Sequence, residues 1–299
     1  MRAAPPDLSI IIASFNASGT ITACLDSLRA QKTARVFEVL LVDSSTDGTA
    51  SLVRARYPDV DVITSPRRLF AGSARNLAIP RSRAGVIALL DADCYVGGDW
   101  VDTVCEAHQR DDLLIGGTVH NAHSQSLVSW AYYFCEFNLW LPAAHSRTMA
   151  EMAGCCLSLK RAAYERYGPF LEGTYSSDTA FQWKAGRDGH RVWCTPSIRV
   201  VHQSPTGLRY FLRHTVEHRR GYARVNCLER RLSRAGRLRE MAVLPITPFL
   251  LLGATLLRLH VCWRYLPRFL AASPLVLLGY MARSWGEFTG YLRPTPSDG

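Results

Sequence analysis

With 299 residues, 48% of them hydrophobic, the chain can bury a sizeable core, enough for one large domain or a domain with an appendage, which excludes a disordered protein. Nine scattered cysteines, odd in number and without a CxxC pair, exclude a disulfide or zinc framework and suit reduced thiols in a cytosolic setting. The net charge of +10 would suit nucleic acid if it were spread out, but residues 207–240 carry ten arginines against three glutamates and run directly into uncharged apolar sequence, which fits a membrane surface and excludes nucleic acid as the expected partner.

In chain order, the amino-terminal MRAAPPDLSIII has no charged segment followed by a long apolar core, so no signal peptide is expected. Residues 8–13 (LSIIIA) form a short apolar run closed by Ser14-Phe15-Asn16, and Ile21, Cys24, Leu25 and Leu28 then recur at helical spacing. FEVLLVD (37–43) is a second apolar run ending in Asp43, and the turn Ser-Ser-Thr-Asp-Gly behind it suits the start of a helix near Thr49. DVDVITS and GVIALLDAD are a third and a fourth run. Continuous apolar strands alternating with amphipathic helices predict an α/β fold with a mainly parallel sheet covered on both faces. Ligands of such sheets gather at the carboxyl ends of the strands, where Asp43, Asp91 and Asp93 all fall.

Asp91 and Asp93 are spaced two apart in extended backbone, so their carboxylates project to one side. Charge at the end of a buried strand needs an offset, and either a bound cation or turn amides can supply it. Beyond Tyr95 the pattern loosens: a helix at 99–108, a strand at LIGGTV, an aromatic packed helix at 127–141, a strand or turn of small residues at MAGCCLSLKR, a helix capped by Ser176-Ser177-Asp178, and strands in GHRVWCTPSIRVVHQ.

Six segments in consistent order, LSIIIASFN, LLVDSSTDGT, AGSARNLAI, ALLDADC, MAGCCLSLKRAAYERYGPFLEG and SSDTAFQWKAGRDGHRVWCTPSIRVVH, give the chain a resemblance to the family 2 glycosyltransferases over about residues 7–203. These are inverting enzymes with the GT-A fold, a Rossmann-like mixed sheet. The resemblance implies a nucleotide-sugar donor, UDP by family habit with GDP as the other option, and Mg2+ or Mn2+ as cofactor. It implies donor contacts from Ser14, Asn16, Asp43, Asp47, Gly72, Arg75, Asn76, Asp91 and Lys184, with ordinary turn chemistry as the other reading of Asp47. Asp93, with Asp91 and His202, matches the metal site, the His also being open to a plain structural role. A divalent ion there would bridge the donor phosphates and neutralise charge on the leaving diphosphate. Asp178 matches the general base that takes the acceptor hydroxyl's proton, and it is also a good helix cap. One departure from the family pattern stands beside it: Ser177 replaces the usual acid before Asp178. That raises the alternative of a catalytically impaired, membrane-bound nucleotide-sugar-binding protein.

Past residue 207 the apolar residues Phe211, Leu212, Val216, Tyr222, Val225, Leu228 and Leu232 recur at helical spacing with arginines between them, which predicts a basic amphipathic interfacial segment. His214 and His218, four apart, lack the following Glu of an HExxH motif and give only a thin case for a metal. Two apolar stretches, 241–257 and 269–282, are each short for a bilayer span and contain prolines, so a kinked helical hairpin dipping into the membrane is the expectation, beside a crossing. The expected organisation is a catalytic domain at 1–205, the basic segment at 206–240 and the apolar hairpin and tail at 241–299. A lipid or lipid-linked acceptor follows from that attachment, with the catalytic domain on the cytoplasmic face of the cell membrane.

Overall fold

The structure, a computed structural model, describes residues 4–123 and 125–294. The first three residues of the leader reading and the last five of the apolar tail lie outside them. The chain divides into two compact units, one made of residues 1–120, 143–173 and 177–203, the other of 121–142, 174–176 and 204–299.

In the first unit the elements run β1 (Leu8–Ser14), α1 (Ile21–Arg29), β2 (Phe37–Asp43), α2 (Thr49–Arg56), β3 (Asp61–Thr64), α3 (Ala71–Ala78), β4 (Val86–Asp91), β5 (Cys94–Val96), α4 (Trp100–Ala107) and β6 (Leu114–Asn121). The helix α5 (Leu127–Phe137) belongs to the second unit. β7 (Arg147–Met149), β8 (Leu157–Lys160), α6 (Arg161–Tyr167), α7 (Ser177–Arg187) and β9 (Val192–His202) complete the first. The sheet order is β3-β2-β1-β4-β8-β6-β9-β5, with β7 paired to β9.

β1 pairs in parallel with β2 and β4, and β2 with β3. Ile10, Ile11, Ile12, Leu41, Ile87 and Leu89 are wholly buried, as strands covered on both faces require. Beyond β4 the observed pairings turn antiparallel: β4 with β8, β8 with β6, and β9 with both β5 and β7. The parallel half is the part that periodicity made visible, and the register Ser14↔Asp43 and Ala13↔Asp91 sets the ends of β1, β2 and β4 side by side. The residues expected at the donor therefore leave the sheet along one edge.

The second unit is helical: α5, α8 (Leu208–Glu229), α9 (Arg234–Val243), α10 (Thr247–Arg258) and α11 (Leu266–Leu292). α11 lies alongside α8 in the same direction. A Cβ on Gly286 would meet the Val216 carbonyl oxygen at 2.5 Å and one on Gly290 the Arg220 carbonyl at 2.6 Å, so only glycine allows the two backbones this approach. Arg219 does not face outward with the other arginines of α8, as its place in a basic amphipathic segment predicts; it is buried and its Nε donates to Glu287 Oε1 at 2.8 Å. Arg219–Glu287 and the bond from Asn226 Nδ2 to the Tyr291 hydroxyl (2.7 Å) tie α11, which runs on to Leu292, to α8. The stretch Thr247–Leu292 is long and apolar enough to cross a membrane, although non-helical angles at Cys262 (φ −147°, ψ 56°) break it between α10 and α11. His214 and His218 stack face to face, with centroids 5.9 Å apart and planes 9° apart, and His218 Nδ1 lies 3.4 Å from Glu136 Oε2. Glu136 is buried, which alone would raise its carboxyl, yet His218, His214 and Arg219 hold it down at about 2. The histidine pair is thus a packed polar cluster of the helical unit.

Candidate active site

The site is built at the carboxyl edge of β1, β2 and β4. Ser14 ends β1 and is buried, in register with Asp43 at the end of β2. Asp43 ends β2 almost fully buried, and one of its oxygens accepts from the Ser45 hydroxyl at 2.5 Å. Asn16 sits in the left-handed region (φ 51°), which Asn tolerates, and its Oδ1 accepts from Thr46 N at 3.0 Å, joining the β1 turn to the β2 turn. Asp47 spends both oxygens on this framework: Oδ2 accepts from Ser18 N (3.0 Å), and Oδ1 accepts from the Thr49 amide (3.1 Å) and hydroxyl (2.6 Å). Desolvation, the largest single effect, would raise its carboxyl, and these bonds together outweigh it and hold it at about 2. Asp47 braces the turn that leads into α2.

α3 supplies the next residues. A Cβ on Gly72 would meet the Leu171 carbonyl at 2.5 Å and Ser177 Oγ at 2.6 Å, so α3 packs onto the loop before α7 and onto the start of α7 itself. Arg75 is 3% exposed, with Nη2 3.4 Å from Asp91 Oδ1 and its guanidinium over the Phe170 ring. Asn76, expected at the donor, is fully occupied elsewhere. Its Nδ2 donates to Phe170 O (2.9 Å) and Glu172 Oε1 (2.8 Å), and its Oδ1 accepts from Phe170 N (2.9 Å) and the Tyr164 hydroxyl (3.2 Å). It clamps the 164–172 loop and has no group left for a ligand.

Asp91 and Asp93 leave β4 as expected, but they do different things. Loss of water pushes the Asp91 carboxyl up to about 6, with Arg75 opposing and Asp93 and Asp178 adding to the rise. Asp93 is exposed to a similar degree, and its Oδ2 lies 3.3 Å from Nε2 of the buried His202, which ends β9. The ligand atoms of Asp93, Cys94 and His202 all lie within 4.8 Å of one another. A carboxylate and an imidazole at this spacing fit a divalent ion.

Asp178 is the second residue of α7, just past Ser176, which is itself in the left-handed region at φ 60°. A Cβ on Gly154 would meet Arg75 Nη2 at 2.7 Å and Asp178 Oδ2 at 2.8 Å. Gly154 is therefore the floor on which the guanidinium and the expected base meet. Nothing in the sequence beyond the small-residue run MAGCC hinted at this. Lys184 is half-buried further along α7, and the neighbouring Trp183 donates to Glu151 Oε1 at 2.7 Å. The structure thus brings Arg75, Asp91, Asp93, Asp178 and His202 together, and gives Asp47 and Asn76 bracing duties.

Solved structures share this architecture. The mannosyltransferase PcManGT from Pyrobaculum calidifontis, in complex with GDP-Man and Mn2+, aligns with a TM-score of 0.59 at 20% identity over 97% of this chain and 86% of its own. S. aureus TarS 1-349 aligns at 0.55 and 17% identity over 93% of this chain and 90% of its own. Among curated proteins, the glycosyltransferase AglE of Haloferax volcanii is 26% identical over 57% of this chain and 58% of its own length. The succinoglycan biosynthesis protein ExoA of Rhizobium meliloti is 26% identical over 80% of this chain and 75% of its own. WfaP of Escherichia coli, named as a UDP-Glc:alpha-D-GlcNAc-diphosphoundecaprenol beta-1,3-glucosyltransferase, is 34% identical over 32% of this chain and 37% of its own. The chain thus spans little over half of AglE and about a third of WfaP. The family model described as Glycosyl transferase family 2 matches residues 9–168, more than half of the chain and the whole strand edge from Ser14 to Asp93, and the GT-A arrangement continues through Asp178 to His202: the chain belongs to glycosyl transferase family 2.

Proposed function

We propose that the protein is a metal-dependent inverting glycosyltransferase that moves a sugar from a nucleotide-sugar to a hydroxyl of a lipid or lipid-linked acceptor at the cytoplasmic face of the membrane. The observation that carries this reading is the convergence of Asp178, Arg75, Asp91 and Asp93 at the carboxyl edge of the parallel strands, with Gly154 beneath Arg75 and Asp178. Asp43, at the end of β2, would hold the base or ribose. Asp93 and His202 would hold a divalent ion, whose charge when bound offsets that of the departing diphosphate. Arg75, held by Asp91, adds a fixed positive charge nearby. Asp178 accepts the proton of the acceptor hydroxyl as its oxygen bonds to the anomeric carbon. The bond from that carbon to the diphosphate breaks on the opposite face, which inverts the centre.

Ser177 favours catalysis over the impaired alternative. It is 2% exposed and packed against Gly72, so a carboxylate there would be buried against α3, and its replacement by Ser is a packing solution. For the acceptor and the membrane, support comes from α10 and the start of α11. Ile246, Phe249, Leu250 and Leu257 lie on one outward helical face, with Trp263 and Leu270 also exposed and Arg258, Arg264 and Arg268 between them. The printed name of WfaP, a transferase acting on a diphosphoundecaprenol-linked sugar, agrees with a lipid-linked acceptor. The test is nucleotide release from a panel of UDP- and GDP-sugars by the detergent-purified chain, with Mn2+ or Mg2+ and a lipid extract. Metal-dependent release that is lost in Asp93→Ala supports the reading, and the absence of any metal-dependent nucleotide binding overturns it.

A further inference from the structure

We infer that Cys94 is a third protein ligand at the metal site, so that this site takes zinc-class ions, with a sulphur bond, far more tightly than magnesium. The inference rests on the metal site of the proposed function and names the ion class that its side chains select. Cys94 opens β5 and is the direct register partner of His202 on β9. Paired residues of an antiparallel ladder carry their side chains on the same face, with Cβ atoms about 4.5–5.5 Å apart, so thiol and imidazole stand next to each other. Asp93, between them in space, completes the set: its Oδ2 is 3.3 Å from His202 Nε2 and its Oδ1 is 3.7 Å from Cys94 Sγ.

The donor set discriminates between ions, since sulphur with imidazole and one carboxylate suits Zn2+ and Co2+, whereas magnesium prefers an all-oxygen shell. The three ligand atoms lie within 4.8 Å of one another, close enough to share one ion. On binding, the metal–sulphur bond replaces the S–H bond and the thiol proton passes to the buffer. Behind Cys94 lies Cys155, whose thiol shares a hydrogen bond with it and which follows Gly154 on the turn beneath Asp178. Cys155 orients the sulphur and is not itself in the ligand set.

The experiment uses the full-length, detergent-purified, metal-free protein titrated with Co2+, read by absorption and calorimetry with and without UDP or GDP. The expected result is a near-ultraviolet thiolate-to-cobalt charge-transfer band that is lost in Cys94→Ser and kept in Cys155→Ser. Zn2+ affinity should fall at least about tenfold in Cys94→Ser while Mn2+ affinity changes less than about threefold. Because one ion is shared, Asp93→Asn should also abolish the band, which keeps the assignment testable if Cys94→Ser does not fold. Co2+ binding that needs Asp93 but shows no charge-transfer band overturns the thiol ligand and leaves the proposed function standing. A band that survives Cys94→Ser and vanishes in Cys155→Ser overturns it equally. If neither Co2+ nor Mn2+ binds, with or without nucleotide, the metal site and this inference fall together.

Discussion

Gly154→Ala offers the sharpest structural perturbation, because it adds one methyl group at the point where two functional side chains meet. The new Cβ would sit 2.7 Å from Arg75 Nη2, 2.8 Å from Asp178 Oδ2 and 3.1 Å from Arg75 Nη1. Ordinary contact begins near 3.4 Å, so the guanidinium and the carboxylate must each retreat by about 0.6–0.7 Å. Neither is free to do so without consequence. Arg75 is buried, tied to Asp91 and lying over Phe170, while Asp178 is fixed in the first turn of α7. A misplacement of about 1 Å at a reacting group costs on the order of 100-fold in rate, so a displacement of this size predicts a loss of about 10- to 100-fold, or about 1.4–2.7 kcal/mol in the barrier. The assay is kcat for nucleotide release at saturating donor, with thermal unfolding measured alongside. The expected variant unfolds within a few degrees of the wild type but turns over slowly. Wild-type kcat in Gly154→Ala would refute the convergence of Arg75 and Asp178 on Gly154.

Three other outcomes follow from the same structure. Ser177→Glu, which restores the family's usual acid, should lower both stability and turnover, because Ser177 is buried against Gly72 and a buried carboxylate without a partner costs several kcal/mol; a gain in activity would contradict the packing role. Glu287→Ala removes the carboxylate shared by Arg219 and Arg283, leaving the buried Arg219 with Glu136 as an acidic neighbour, and should cost about 3–5 kcal/mol, with the double substitution Arg219→Met, Glu287→Met recovering part of it, as read by denaturant melts in detergent. His108 is buried, and the burial together with Lys160 lowers its pKa from 6.5 to about 4, while Nε2 lies 2.8 Å from Ser158 Oγ. With the folded-state value depressed, the unfolded chain binds the extra proton first, so stability is full above pH 6.5 and declines as pH falls towards 4, by about 3 kcal/mol in the limit. His108→Gln should flatten that decline, and an unchanged slope between pH 6.5 and 4 would exclude His108 as its source.

The parallel half of the sheet was legible in the sequence because strands covered on both faces read as continuous apolar runs, and because Asp43, Asp91 and Asp93 mark where those runs stop. The antiparallel half was less so: β6, β7 and β8 are short or interrupted by glycine, and their pairing is a long-range matter that no local pattern encodes. Asp178 and Arg75 announce themselves by charge, and the structure sets both against Gly154. Gly154 does not announce itself, since a close approach between distant segments leaves no periodic trace, and Cys94 was read only as one of nine thiols. Asn76 shows the converse: its side chain hydrogen-bonds residues 164–172, nearly a hundred positions away, which no local pattern encodes. Arg219 and Glu287 show the same limit, because a buried ion pair and a solvated one look alike in sequence.

If Asp178 removes the acceptor's proton beside a metal-dependent donor site, Asp178→Asn separates turnover from donor binding. Turnover should fall by about 10²- to 10⁴-fold, while metal-dependent nucleotide binding, measured by calorimetry on the same preparation, stays within about threefold of the wild type. Turnover retained in Asp178→Asn would show that another group takes the proton, and would contradict the reading of this strand edge as an active site organised around Asp178.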